Sequence, residues 1–263
     1  LATLDIDTGG QSIDRVTYVN ATYTVTDPSG ATLHAGPIEI RGRGNSTWGF
    51  DKKPYRVRLD SAATLLGMPD SRHWVLLANH ADKTLLRNDV TFEVGRQLGM
   101  AWTPRSRDVQ VRLNGRYDGV YQLTEHIRIA SDRVNIDELD AAVTSEPEIT
   151  GGYLLQIDEL AVGAPRCFTT AVAQVTICGE DPEDLDARPA QRAYISGYVQ
   201  SAENALYSAD FASATAGYAA YIDVDSAIQY FLANELVKNV DGNLQRSTYL
   251  FKPRGGKLHF GPL

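Results

Sequence analysis

Sulfur is scarce in this chain: two cysteines and two methionines stand in 263 residues. Neither a multi-cysteine zinc module nor a dense disulfide framework can be built from so few thiols. Long apolar runs are missing too, and no stretch approaches the roughly 20 residues of a membrane-spanning helix. Positive charge is in deficit, with 25 Lys and Arg against 33 Asp and Glu and a net charge of -8, so no overall field attracts a nucleic acid. The first residues, Leu1-Ala2-Thr3-Leu4, have no basic start before an apolar segment, so any signal peptide is expected outside the chain given. Internal repeats and low-complexity linkers are lacking as well. What is present is a 43% hydrophobic, 22% charged composition, that of an ordinary globular protein. Its length suits one large domain or two small lobes.

The scarce positive charge is concentrated locally. Arg41, Arg43, Lys52, Lys53, Arg56 and Arg58 fall within eighteen positions, around the stretch Ile40-Arg41-Gly42-Arg43-Gly44-Asn45-Ser46-Thr47-Trp48. One glycine serves a turn; a second two residues later suggests a close approach to the backbone, and the flanking arginines suggest an anion such as phosphate. A plain turn is the alternative. After it, Tyr55, Val57 and Leu59 alternate with Arg56, Arg58 and Asp60, which predicts a half-buried strand with its arginines on the open face. Cys167 and Cys178, separated by a Thr-, Val- and Ile-rich run, are expected to face each other across a hairpin as a disulfide of an exported protein. Two separately buried thiols are the alternative.

The first sixty residues read as β, rich in Thr, Tyr and Val with turn residues between the runs. His73 to Asn79 is a short apolar strand. A helix is expected from about Lys83, capped by Asp82 and stopped by Gly99. On it Leu86, Val90, Glu93 and Gln97 share one stripe, read as buried, so Glu93 needs a cationic partner, expected from the Lys52 to Arg58 segment. Asn114-Gly115 marks a hairpin. A long helix is expected to begin near Pro189. Another is expected after Asp223 or Asp225, with Ile228, Phe231, Leu232 and Leu236 as its apolar stripe. Glu235 and Asn239 lie inside that stripe, as support for a site or as a satisfied core pair. Asp241 follows, ahead of a final hairpin; it is placed for a general base or a metal ligand, or else it is a turn aspartate before Gly242. Trp48, Trp74 and Trp102 are expected in packing roles, and are the sole support for a glycan-binding reading.

A glycine loop, a basic strand, a helix glutamate and a loop aspartate stand in the order in which protein kinases carry them. The segments Ile38 to Asp60, Trp74 to Gly99, Gly151 to Glu159 and Ile222 to Asn243 resemble the CotH family, named for a spore-coat protein and found widely in secreted bacterial proteins. Family members resemble atypical protein kinases. The resemblance therefore implies an α+β, bilobal, protein-kinase-like fold. Residues 1-125 would form a β-rich nucleotide-binding lobe with one central helix, and 126-263 a mainly helical lobe. It implies transfer of phosphate from ATP, with Mg or Mn, to a Ser-containing secreted or surface protein, by a monomer located outside the cell or on its surface. Asp241 would be the catalytic-loop aspartate and a metal ligand. Arg41, Gly42, Arg43, Gly44, Asn45 and Ser46 would lie near the phosphates, Lys53 or Arg56 would be the phosphate-contacting cation, with Arg56 preferred, and Glu93 would hold it. A second metal-binding aspartate is expected beyond Leu263, the chain given being read as truncated and so inactive. Arg246 stands where kinases place the asparagine that binds a second metal. That departure keeps open a catalytically silent coat or surface module.

Overall fold

The computed structural model describes residues 1–240 and 242–263. They form two compact units, the first of Leu1–Asp89 with Pro104–His126, the second of Val90–Thr103 with Ile127–Leu263.

The first unit is a closed barrel. Its strands are β1 (Ala2–Asp7), β2 (Val19–Thr26), β3 (Thr32–Gly42), β4 (Tyr55–Ala63), β5 (Ser71–Leu77), β6 (Ser106–Leu113) and β7 (Arg116–Glu125), in the order β1-β2-β3-β4-β5-β7-β6. All neighbours are antiparallel except β1 and β6, whose parallel pairing shuts the barrel and leaves no open edge. Period-two alternation explains which side chains fill it: Tyr55, Val57 and Leu59 of β4 are buried, while Arg56 and Arg58 between them are not. Ile40, Trp74, Val109, Val111 and Tyr121 are fully buried at its centre, each large side chain contributing about 2 kcal/mol or more by its burial. The β6–β7 hairpin turns at Asn114 and Gly115, with φ of 52° and 75°, the two positive values that an Asn-Gly turn supplies.

The second unit is built on a sheet, and here the kinase-like expectation is corrected. Five strands, β8 (Tyr153–Ile157), β9 (Cys167–Thr169), β10 (Thr176–Asp181), β11 (Thr248–Lys252) and β12 (His259–Phe260), run in the order β12-β11-β8-β10-β9. The helices are few: α1 (Arg87–Gln97), α2 (Pro189–Leu206) and α3 (Val224–Val237). A closed seven-stranded barrel and a five-stranded sheet are not a bilobal kinase-like fold with a mainly helical second lobe. The physical reason is pairing at long range: Thr248 of β11 is registered with Ile157 of β8, so segments that look like isolated strands assemble into one sheet. Tyr153, Leu155, Ile177, Leu185, Ile195, Val199 and Leu250 form its core. Cys167 and Cys178 sit directly opposite each other on β9 and β10 and are bonded, S–S 2.03 Å, as expected. Pro189 opens α2, and the Asp223 side chain caps α3 by accepting from the Ser226 amide at 2.8 Å.

Two helix faces are also corrected. On α3, Ile228, Phe231, Leu232 and Leu236 are exposed, and the helix buries Tyr230, Ala233 and Asn234 instead. On α1 the buried residues are Phe92 and Gly95, while Val90 and Glu93 face solvent. Gly95 explains the α1 choice: a Cβ there would lie 2.6 Å from Leu263 Cδ1 and from Thr103 Cγ2, so the helix is seated by close approach at a glycine.

Candidate functional site

The Arg41–Lys53 stretch folds back on itself. Arg43 donates its amide to the Pro54 carbonyl at 3.1 Å, and a short 3-10 helix covers Ser46–Gly49. Both glycines have local work. A Cβ on Gly42 would stand 2.3 Å from the Trp48 ring, and Gly44 has φ +82° with Thr47 Oγ1 1.9 Å from its would-be Cβ. The close approach that the second glycine was expected to permit is therefore made at least by side chains of the same loop. Asn45 flanks the short helix and makes no side-chain cap bond to it, and Ser46 is exposed at its start. Lys53 donates to the Trp48 carbonyl at 2.7 Å and lies over that ring. Arg41 is registered with Arg56 across β3 and β4, and its guanidinium stacks over Tyr18 at 4.8 Å.

Beside this loop the first unit holds a cavity of about 270 Å³, lined by Arg43, Thr47, Phe50, Lys52 and Pro54 and, from the other wall, by Leu77 to Asp82 and Asn88. Of the cations singled out for phosphate, Arg43 lines it, and Arg41, Lys53 and Arg56 do not; Lys52, which was not among them, lines it as well. Lys52 donates to the Ala78 carbonyl at 2.7 Å and to the Val120 carbonyl, with its ammonium 4.4 Å from the Tyr121 ring centre. Burial lowers its pKa from the ordinary lysine value, and the negative charges of Asp118 and Asp108 oppose that fall. Asp108 is in turn pushed up, first by burial and then by Asp89, with Lys52 acting the other way. Gly119, at φ +123°, leaves room for the Lys52 stem, whose Cε would be 3.0 Å from any Cβ there.

The opposite wall is held by amides and a carboxylate. Phe50 and His80 stack with centroids 5.0 Å apart. Burial raises the Asp82 pKa, but bonds from the Arg87 amide and from Thr84 outweigh it and leave the group below its ordinary value. Those bonds, from the Thr84 amide and hydroxyl and the Arg87 amide at 2.7–3.0 Å, make Asp82 the clasp of the turn into α1, which starts at Arg87 rather than near Lys83. Asn79, held at φ +48°, accepts from Asn88 Nδ2 at 3.0 Å, and both amides donate to the Gln122 side-chain oxygen. The apolar run Val75 to Ala78 ending in an asparagine and the capping Asp82 were the sequence signals for this wall; nothing local marked Gln122.

The remaining expected residues fall in the second unit. Glu93 has a 54% exposed side chain and accepts from Gln97 at 2.7 Å and from Arg96 at 3.0 Å. Those two bonds, Gln97 first, hold its pKa below the ordinary value. The inward carboxylate paired with the basic strand is thus replaced by a surface group paired along its own helix. Asp241 lies outside the described residues. Near it in sequence, the Asn239 side chain donates to Asn234 Oδ1 at 2.8 Å and accepts from the Gly242 amide at 3.1 Å, and Glu235 is exposed. Arg246 is bonded to Glu159, Nε to Oε1 2.6 Å. Among the described residues no group of three His, Cys, Asp or Glu is placed to hold a metal ion, and no helix is long and apolar enough to cross a membrane.

A family model described as "CotH kinase protein" matches residues 40–263, a span that takes in the basic loop, the cavity walls and the whole second unit. No curated protein matches the chain as a relative.

Proposed function

The chain belongs to the CotH family, and on that premise we propose that it is a kinase-like phosphotransferase that binds ATP in the barrel's cavity and phosphorylates a Ser-containing secreted or surface protein. One observation carries the reading: the family's glycine-rich basic loop builds a wall of a cavity into which two cations, Arg43 and Lys52, contribute. A triphosphate is recognised by positive charge held in a partly desolvated site, where charge-assisted hydrogen bonds are stronger than in water. Arg43 offers a planar fork of donors and Lys52 a compact charge, anchored by two carbonyls and a tyrosine face. The Phe50–His80 stack gives the same cavity a flat apolar surface suited to a base.

Phosphoryl transfer needs little covalent chemistry from the protein and much positioning. In this reading Asp241 receives the proton of the substrate hydroxyl. Family membership suggests nucleotide and metal use in general, with Mg or Mn as the expected ion; the described carboxylates do not by themselves form its site. The disulfide and the lack of a membrane-spanning helix among the described residues agree with a secreted or surface location. A second reading, a silent coat or surface module, is favoured by the engagement of Arg246 with Glu159, a guanidinium at the position where kinases hold a metal.

Radiolabel transfer from ATP by the full-length protein, wild type against Asp241→Ala, separates the two. The kinase reading expects labelling by the wild type and its loss in the variant. Equal labelling by both contradicts it and favours the silent module.

A further inference from the structure

We propose that Asn88 presents its side-chain oxygen to the cavity as the acceptor for a hydrogen-bond donor of the bound nucleotide, and that Gln122 is the positioning residue that fixes this orientation. The inference rests on the reading of the cavity as the nucleotide site and adds to it which end of the nucleotide faces which wall.

The orientation follows from a chain of bonds that starts at a carboxylate. Asp89 Oδ1 accepts from Ser106 Oγ at 2.5 Å and from Gln122 Nε2 at 2.6 Å. A carboxylate has no proton to give, so the Gln122 amide must turn its NH2 toward Asp89 and its oxygen away. That oxygen accepts from Asn79 Nδ2 at 3.2 Å and from Asn88 Nδ2 at 3.1 Å. The other Asn88 amide hydrogen goes to Asn79 Oδ1 at 3.0 Å. Both hydrogens of Asn88 are now used, and what it has left is the acceptor capacity of Oδ1. Gln122 is 1% exposed, so solvent does not supply it with alternative partners, whereas Asn88 lines the cavity. One partly buried carboxylate thereby dictates, two amides away, the polarity of a cavity wall.

An acceptor at Asn88 rejects phosphate oxygens and unprotonated ring nitrogens, which are acceptors themselves. It takes an exocyclic amine or a ribose hydroxyl. The nucleotide therefore lies with its base–sugar end toward Asn88 and its phosphates toward Arg43 and Lys52.

Affinities of the full-length protein for ATP, 2′-deoxy-ATP, 3′-deoxy-ATP and purine riboside triphosphate, which lacks the 6-amino group, test this without any variant. One of the three analogues is expected to bind about tenfold more weakly, and its identity names the donor. Gln122→Leu, with folding checked by its melting curve, is expected to bring ATP down to the level of that analogue at every pH. Gln122→Glu keeps an oxygen that accepts from Asn79 Nδ2 and Asn88 Nδ2, so its profile across the four nucleotides is expected to retain the analogue penalty that Gln122→Leu loses. Equal binding of all four nucleotides to the wild type overturns the inference. So does an analogue penalty that survives in Gln122→Leu, or a Gln122→Glu profile parallel to that of Gln122→Leu. No binding of ATP to the wild type removes the nucleotide reading itself, and the inference with it.

Discussion

Each unit contains a lysine held in nearly the same way, and the two differ in what surrounds them. Lys52 of the barrel donates hydrogen bonds to two backbone carbonyls and faces the Tyr121 ring at 4.4 Å. Lys252 of the sheet donates hydrogen bonds to the Thr150 and Gly256 carbonyls, at 2.5 and 2.8 Å, and faces the Tyr198 ring at 4.3 Å. Lys52 lines a cavity and has Asp118 and Asp108 to sustain its charge. Lys252 is 1% exposed, and burial alone drives its pKa down to about 8. Two carbonyls and an aromatic face are thus enough to seat a lysine, whether or not it can meet a ligand. Access and compensating carboxylates are what distinguish Lys52 from the internal strut Lys252 and suit it to the proposed phosphate contact.

The contrast can be sharpened first through the unit that carries the strut. Replacing Cys167 and Cys178 with Ala frees a short loop and is expected to lower stability to denaturant by about 3 kcal/mol, with ATP affinity unchanged. A loss of affinity in a folded variant would tie the sheet to the site. Next, Lys252→Met keeps the stem but leaves two partly buried carbonyls without their donor. Denaturant titration should show a loss of about 1–3 kcal/mol, again without change in affinity.

A smaller effect concerns pH. The folded pKa of Lys252 is about 8 against an ordinary 10.5, so between those values the unfolded chain binds the extra proton. Stability from this group therefore rises as pH goes from about 8 to about 10.5 and is flat below that window. Tyr198 and Tyr55, raised to about 12 chiefly by burial, act oppositely at the upper end, their stabilisation being lost as pH rises from about 10 to about 12. The Lys252 contribution is thus read as the stability of wild type minus that of Lys252→Met, which should grow with rising pH across the window. A constant difference would contradict the strut.

Much of the barrel was legible because its signals are local. Alternation along Tyr55 to Leu59 and the Asn114–Gly115 pair each act within a few residues, as do the Pro189 start of α2 and the cysteine hairpin of the second unit. The sheet of the second unit was not legible, because pairing Thr248 with Ile157 leaves no trace in either segment alone. The burial of α1 was misjudged because its contact is made at Gly95, which no count of apolar residues marks. Parity along β4 correctly turned Arg56 away from Tyr55 and Val57, yet parity says nothing about Lys52, which precedes the strand and enters the cavity from the loop. The acceptor wall draws on Asn79, Asn88, Asp89 and Gln122, from a strand end, a helix start and a central strand. A constellation of that kind exists only once the chain is folded.

The central claim is that the barrel's cavity, with Arg43 and Lys52, is where the nucleotide's phosphates bind. Titration calorimetry of ATP with the wild type, Arg43→Ala and Lys252→Met tests it most directly. Arg43→Ala should weaken ATP binding about tenfold or more, as loss of a charge-assisted contact implies, while Lys252→Met, once shown to be folded, binds as the wild type does. Wild-type affinity in Arg43→Ala, or an equal loss in Lys252→Met, would contradict the account.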